Sequence, residues 1–140
     1  MRFKLENRHV MPAIRLLDSL ELAGKQSRAR TRLASMLTMV AQQIGEAEYQ
    51  LIREHTILGD DGKPVEADGG GFTPKTMQDM EAYVCEHGEL MGEMAQVEQG
   101  TYEGHRSDCI ALLEGETLPL SGEQADAYDA LLTALEEGED

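Results

Sequence analysis

Cysteine and histidine, the residue types that bind zinc, occur in this chain as two close pairs, Cys85 with His87 and His105 with Cys109. His105 and Cys109 lie one helical turn apart and would face the same ion. Cys85 and His87 lie about 200° apart around a helix, so an intact helix cannot aim both at one ion. The spacing matches no standard zinc-finger pattern. We therefore expect a buried thiol, one histidine in a helix interface, one partly exposed histidine, and no metal.

Other patterns that support catalysis or cofactor binding are missing. Asp60, Asp61 and Asp68 are clustered, but the spacing of a calcium-binding EF-hand and its terminal glutamate are absent. There is no glycine-rich phosphate loop, no nucleophile elbow and no His-Glu-x-x-His motif. We expect neither an enzyme nor a bound cofactor.

A basic cluster, defined as Lys25, Arg28, Arg30 and Arg32, is the candidate binding site. On a helix, three of these cations share one face and Arg30 lies on the far side. The cluster either binds phosphate or an acidic partner, or pairs with acidic residues of this chain. The start of a helix disfavours cations, so an anionic group should lie close by. We favour a partner within the chain.

Charge is distributed unevenly along the 140 residues, whose net charge is −15. Residues 1–58 hold nine Lys/Arg and six Asp/Glu, which gives a net charge of +3. Residues 59–140 hold three Lys/Arg and twenty-one Asp/Glu, which gives a net charge of −18. Two arrangements fit this distribution. Either the basic cluster docks on the acidic half of the same chain, which we favour, or the acidic half binds a basic partner. This balance argues against nucleic acid as a ligand.

Two heptad patterns predict the architecture. Residues 25–58 contain no proline and read as one long helix, about 50 Å in length if all are helical. Its apolar seam comprises Leu33, Leu37, Val40, Ile44, Ala47 and Leu51. A second helix begins at Thr73-Pro74 and has the seam Met77, Met80, Val84, His87, Met91 and Met94. The two seams predict a long antiparallel helical hairpin.

The remaining segments complete a mainly α prediction of one domain over residues 1–140. Residues 2–6 alternate as a short strand or an extended arm, and residues 59–72 form a flexible loop with a small β-hairpin at Asp61-Gly62. Residues 94–99 either continue the second helix or become extended. Two shorter helices follow, and residues 136–140 form an acidic disordered tail. The predicted fold is an elongated helical bundle built on the hairpin, with at most a small β-hairpin or an N-terminal strand.

The sequence also predicts the compartment. No run of about 18 apolar residues spans a membrane, and the N-terminus lacks the apolar segment of a signal peptide. Two cysteines do not make a disulfide framework. We expect a cytoplasmic protein.

The N-terminal third resembles small uncharacterised proteins of tailed phages and prophages of Gram-positive bacteria. The likeness is carried by Phe3-Lys4-Leu5-x-Asn7 and by Leu16-Leu17-x-x-Leu20-x-Leu22-x-Gly24-Lys25-x-Ser27-Arg28-x-Arg30-Thr31-Arg32. A closing segment, Leu120-Ser121-Gly122-Glu123-x-Ala125-x-x-Tyr128-Asp129-x-Leu131, agrees as well. The resemblance implies a domain-of-unknown-function family whose genes lie among tail and lysis genes. It names no catalytic residue.

These observations leave two classes of function. The first is a non-enzymatic phage or prophage accessory protein with a structural or assembly role, acting through helical protein–protein contacts. The second is an acidic regulatory binder of a basic host or phage protein. We expect a protein partner, either a second copy or a phage structural protein, and no membrane. The expected location is the cytoplasm of the bacterial host or the virion.

Overall fold

The computed structural model describes all residues from Met1 to Asp140. It contains β1 (Arg2–Glu6), α1 (Asn7–Ser19), α2 (Gly24–His55), α3 (Met77–Gly92), β2 (Met94–Glu98), α4 (His105–Glu114) and α5 (Gly122–Glu136). The mainly helical class with a small β component is therefore confirmed. The chain divides into two compact units where the sequence predicts one domain. Unit 1 comprises residues 1–41 and 93–140, and unit 2 comprises residues 42–92.

Unit 1 contains the sheet and the apolar core. β1 pairs antiparallel with β2, and Phe3 lies opposite Val97 in this register. The alternation of β1 buries Phe3 and Leu5 on one face, as the period of a strand requires. Residues 94–98, for which the sequence left two alternatives, are thus extended. Helix α5 contacts α1, α4 and β1, and the fully buried side chains of this unit include Val10, Leu16, Leu17, Leu33, Leu37, Leu112, Leu113, Leu131 and Leu135.

The first predicted seam is buried along much of α2. Leu33 and Leu37 are fully buried, and Val40 and Ile44 are 9% exposed. The next seam position, Ala47, is partly exposed. The heptad pattern of α2 therefore predicts its buried face correctly over the first four positions.

The second predicted seam is wrong as a buried apolar seam, although its member His87 contacts α2. Met77, Met80 and Val84 are exposed, and α3 has no buried residue at all. The side-chain hydrogen bonds from α3 to α2 come from Asp79 and Glu86, which lie outside the seam, and from His87, which belongs to it. Hydrogen bonds between ionisable groups therefore contribute to the choice of the face of α3 that meets α2.

Residues 59–72 form two successive tight turns. In the first, the Gly59 amide donates to the Lys63 carbonyl oxygen over 2.8 Å, and Gly62 has φ +74°, which glycine adopts without strain. This turn lies at the predicted Asp61-Gly62 position. In the second, the Ala67 amide donates to the Gly71 carbonyl oxygen over 2.9 Å.

The acidic C-terminal tail is paired, which corrects the predicted disorder of residues 136–140. Glu136 is the last residue of α5. Glu139 forms an isolated antiparallel bridge with Arg2, and their side chains form an ion pair. Asp140 accepts a hydrogen bond of 2.9 Å from the Arg106 Nε. Negative charge at a helix C-terminus is unfavourable by itself, but the two arginines compensate this charge.

Candidate functional site

Two members of the basic cluster bind groups of unit 1. The Lys25 Nζ lies 3.1 Å from the Asp108 Oδ1 on α4. Arg30 reaches the C-terminal end of α1, where its Nη1 donates to the carbonyl oxygens of Leu17 and Leu20 over 3.0 and 2.6 Å. These carbonyls belong to the last turn of α1 and to the residue that caps it, and they carry negative partial charge, so a guanidinium is well placed to satisfy them. Both cations therefore have partners within the chain.

Arg28 and Arg32 lie over an aromatic ring. Their guanidinium carbons are 5.5 and 5.7 Å from the ring centroid of Tyr102, within the range of a cation–π interaction. Neither forms an ion pair, although five other Arg and Lys side chains of the protein do. The partner of these two cations is thus an aromatic face, which a count of acidic residues does not reveal. Their role in binding another molecule stays a prediction.

Tyr102 and Asp108 extend this contact. The Tyr102 hydroxyl donates to the Asp108 Oδ2 over 2.9 Å. The hydrogen bond from Lys25, followed by that from Tyr102, lowers the pKa of Asp108. Burial, aided by the negative charge of Asp108, raises the pKa of Tyr102 to about 12. At neutral pH this group is therefore a neutral phenol bound to a charged carboxylate, which suits a structural contact.

His105 and Cys109 are buried in the core of unit 1. The His105 Nε2 lies 2.9 Å from the Ala29 carbonyl oxygen, so this nitrogen carries the proton and donates it, while Nδ1 accepts from the Thr101 hydroxyl over 2.9 Å. Burial lowers the pKa of His105. The Cys109 Sγ lies 3.8 Å from the same carbonyl, and burial raises the pKa of this thiol to about 12. A protonated, buried thiol is a poor nucleophile and a poor metal ligand.

A histidine-centred cluster lies in unit 2, where the last turn of α2 meets α3. The His55 Nδ1 lies 3.0 Å from the Asp79 Oδ1, and Nε2 lies 2.7 Å from the Glu86 Oε2. The Glu54 Oε2 lies 3.9 Å from the same Nε2. Hydrogen bonds to Asp79 and then to Glu86 raise the pKa of His55, and the contact with His55 lowers the pKa of Asp79. This imidazole is only 13% exposed and connects the two helices.

A second histidine pair lies further along the same two helices. The His87 Nε2 is 2.8 Å from the Glu48 Oε2, and the ring of Tyr83 stacks on the imidazole with centroids 5.5 Å apart. Glu48 therefore contacts His87, whereas His55, later on α2, contacts Asp79, earlier on α3. The end of α2 and α3 are thus antiparallel.

Beside the face that meets α2, α3 carries an exposed apolar stripe, defined as Met77, Met80 and Val84. Their exposed fractions are 73%, 49% and 62%. The spacing of three and four residues places them on one face of the helix. Gly88 follows on that face, and a Cβ added there meets no atom within 4 Å. The acidic Glu81 lies beside the stripe and is exposed.

A small apolar cavity joins this stripe to the histidine cluster. Its volume is about 230 Å³, and the imidazole of His55 contributes to its wall. The other lining residues are Ile52, Thr56, Gly71, Phe72, Pro74, Met80 and Tyr83. The cavity is large enough for an apolar side chain of another molecule.

The functional candidates of unit 2 are not predicted by any sequence motif. His55, Asp79 and Glu86 are separated in sequence and match no motif. The predicted antiparallel hairpin could have indicated them, because residues at equal distances from the middle of its connecting loop lie opposite each other. This symmetry places His55 opposite Thr76, within one helical turn of Asp79.

Comparison with family models, with curated proteins and with solved structures found no match. In the structure, no helix combines the length and the apolar composition needed to cross a bilayer. The functional proposal therefore rests on the geometry of this chain and on the resemblance of its terminal segments.

Proposed function

We propose that this chain is a non-enzymatic accessory protein of a tailed phage or prophage, and that it acts through helical protein–protein contacts. The observation that carries the proposal is the apolar stripe of α3. Three large apolar side chains are exposed on a helix that buries no residue. An uncovered apolar face of this kind is typical of a protein-binding surface.

Two further features support a binding role. The buried histidine and thiol of unit 1 are satisfied by backbone and hydroxyl groups, and His87 of unit 2 is paired with a carboxylate. These groups therefore serve the fold, which favours a non-enzymatic role. The proposed location is the cytoplasm of the host or the virion. The phage context itself rests on the resemblance of residues 3–32 and 120–131.

The finer architecture is part of the proposal. We propose that α2 and α3 form the antiparallel helical hairpin that the sequence predicts. The Glu48–His87 and His55–Asp79 contacts support it, since both align the helices in opposite directions. Partner binding along α3 would then bury the stripe that the chain alone leaves exposed.

Photo-crosslinking in host cells that carry the phage tests the role of the stripe. A photoreactive side chain replaces Val84 in the full chain, and a matched control places it at the exposed Glu136 of α5. We expect a defined covalent adduct at Val84 that is absent at Glu136, with a phage structural protein or a second copy identified by mass spectrometry. Identical adduct patterns at the two positions would contradict the proposal.

The acidity of unit 2 favours one alternative function. Residues 42–92 hold three Lys/Arg and eleven Asp/Glu, a net of −8. An acidic regulatory binder would use this surface to occupy a basic site on a host or phage protein, with association that weakens as salt rises. Crosslinking of Val84 to one basic host protein, together with absence of the chain from purified virions, would support this alternative over the accessory role.

A further inference from the structure

The histidine cluster of unit 2 places three metal-binding side chains at one point. Glu54 and His55 come from the last turn of α2, and Glu86 comes from α3. One donor atom from each lies within 4.8 Å of the other two. In a tetrahedral site with bonds of about 2.0–2.1 Å, ligand atoms lie about 3.3 Å apart. The distances from the His55 Nε2, 2.7 Å to Glu86 and 3.9 Å to Glu54, lie on either side of this value.

The imidazole is already held in the orientation that a metal ligand needs. The Nδ1 of His55 is bound by Asp79, which leaves Nε2 directed at the two glutamates. Asp79 is fixed in turn, because the Thr76 hydroxyl donates to its Oδ2 and accepts from its amide, both over 3.0 Å. A carboxylate on the second nitrogen of a ligating histidine is the usual arrangement around zinc. With Nδ1 donating to Asp79, Nε2 binds the ion after it loses the proton that it shares with Glu86.

Unit 2 also lacks the apolar core that would hold it together. Its buried residues are Ile44 and Thr56, at 9% and 6% exposure, and α3 contributes none. Small units with little core are commonly stabilised by a disulfide or a structural metal. The two cysteines of the chain are free. An ion bound by Glu54, His55 and Glu86 would join α2 to α3 where apolar packing does not.

We propose that Glu54, His55 and Glu86 bind one Zn²⁺ ion, with Asp79 orienting the imidazole. Nitrogen and carboxylate oxygen suit zinc and other divalent first-row metals better than calcium or magnesium, which prefer oxygen alone. A solvent oxygen completes the coordination. The ion is a structural link between the helices, and its binding is independent of the apolar stripe and of the proposed partner.

Titration of the chelator-treated full chain with ZnCl₂, followed by calorimetry, tests this site. We expect one Zn²⁺ per chain and a thermal midpoint that rises on addition of zinc. Glu54→Gln is the sharpest variant, because Glu54 is 62% exposed and its loss leaves the helix packing intact. Glu54→Gln and Glu86→Gln should each weaken binding at least about tenfold.

Matched controls use the same two helices. The Glu48–His87 pair has the same chemistry with no third donor, so His87→Gln should retain wild-type affinity. Cys85→Ser should also retain it, which excludes zinc held by the exposed thiol. The proposal is overturned if the wild type shows no saturable binding at one ion per chain, if Glu54→Gln binds as tightly as wild type, or if His87→Gln or Cys85→Ser loses binding. Each of these results leaves the crosslinking test at Val84 unaffected.

Discussion

Glu139 is held against Arg2 by two backbone hydrogen bonds of 2.8 Å, so the end of the chain pairs with its first strand. This contact brings Gly138 close to β1. A Cβ added at Gly138 would lie 2.7 Å from the Arg2 carbonyl oxygen and 3.0 Å from the Phe3 Cβ. The backbone cannot easily move away, since Phe3 is buried in the core of unit 1. The pairing therefore depends on glycine at this position.

The first prediction concerns Gly138→Ala. We expect it to lower the free energy of unfolding by about 1–3 kcal/mol, because the added methyl group overlaps backbone atoms. Gly100→Ala is the control, since a Cβ there meets nothing within 4 Å. Urea denaturation measures both. Wild-type stability of Gly138→Ala would show that the tail is not held against β1.

Gly88→Ala should have the opposite effect. This glycine lies inside α3, its added Cβ meets no other atom, and its φ is not positive. Alanine in a helix interior is more favourable than glycine by about 0.5–1 kcal/mol. We expect the free energy of unfolding to rise by that amount in far-UV circular dichroism melts. A loss of stability would contradict the open surroundings of Gly88 on this helix.

The third prediction concerns the two arginines over Tyr102. Arg28→Gln and Arg32→Gln should each cost about 0.5–1 kcal/mol in the wild-type background and almost nothing in Tyr102→Leu. A double-mutant cycle from urea denaturation isolates this coupling. Tyr102→Phe is the matched control, because it removes the hydroxyl bound by Asp108 and retains the ring. Equal arginine effects in the wild-type and Tyr102→Leu backgrounds would show that the ring is not the partner.

Local patterns predicted much of this structure. The alternation at Phe3 and Leu5 predicted β1, and the period of Leu33 and Leu37 predicted the buried face of α2. The Asp61-Gly62 pair predicted the first loop turn. Each of these features depends on a few neighbouring residues, so the local sequence pattern is enough to predict it.

The face of α3 was not predictable in the same way. Periodicity shows which residues share a face, but it does not show which face meets the neighbouring helix. Asp79 and Glu86 have the same period as the apolar stripe, and their contacts with His55 decide the orientation. The ring beneath Arg28 and Arg32 likewise comes from a distant part of the chain. Such contacts depend on the tertiary fold.

The fourth prediction concerns pH. Burial lowers the pKa of His105 in the folded state below the usual value of about 6.5. The unfolded chain then binds the extra proton, so the contribution of His105 to stability is present above pH 6.5 and is lost as pH falls toward the folded pKa. In NMR titrations the His105 Cε1 proton should titrate below pH 6.5.

A denaturation experiment checks the same linkage. The stability advantage of wild type over His105→Gln should be larger at pH 7.5 than at pH 5, because glutamine does not titrate. At the higher pH the ring is neutral, so it donates one hydrogen bond to the Ala29 carbonyl and accepts another from the Thr101 hydroxyl. A His105 resonance that titrates at or above pH 6.5 would be inconsistent with a buried neutral imidazole.

The last prediction compares one charge at two seam positions. Leu37 is fully buried, so Leu37→Asp places an unpaired carboxylate in the core and should cost at least about 4 kcal/mol or abolish cooperative unfolding. Val84 is 62% exposed, so Val84→Asp should change stability by no more than about 0.5 kcal/mol. Thermal and urea denaturation of the two variants measure the difference. An unchanged unfolding midpoint for Leu37→Asp would show that this seam is not part of the core. A large loss of stability for Val84→Asp would show that the stripe is buried and unable to bind a partner.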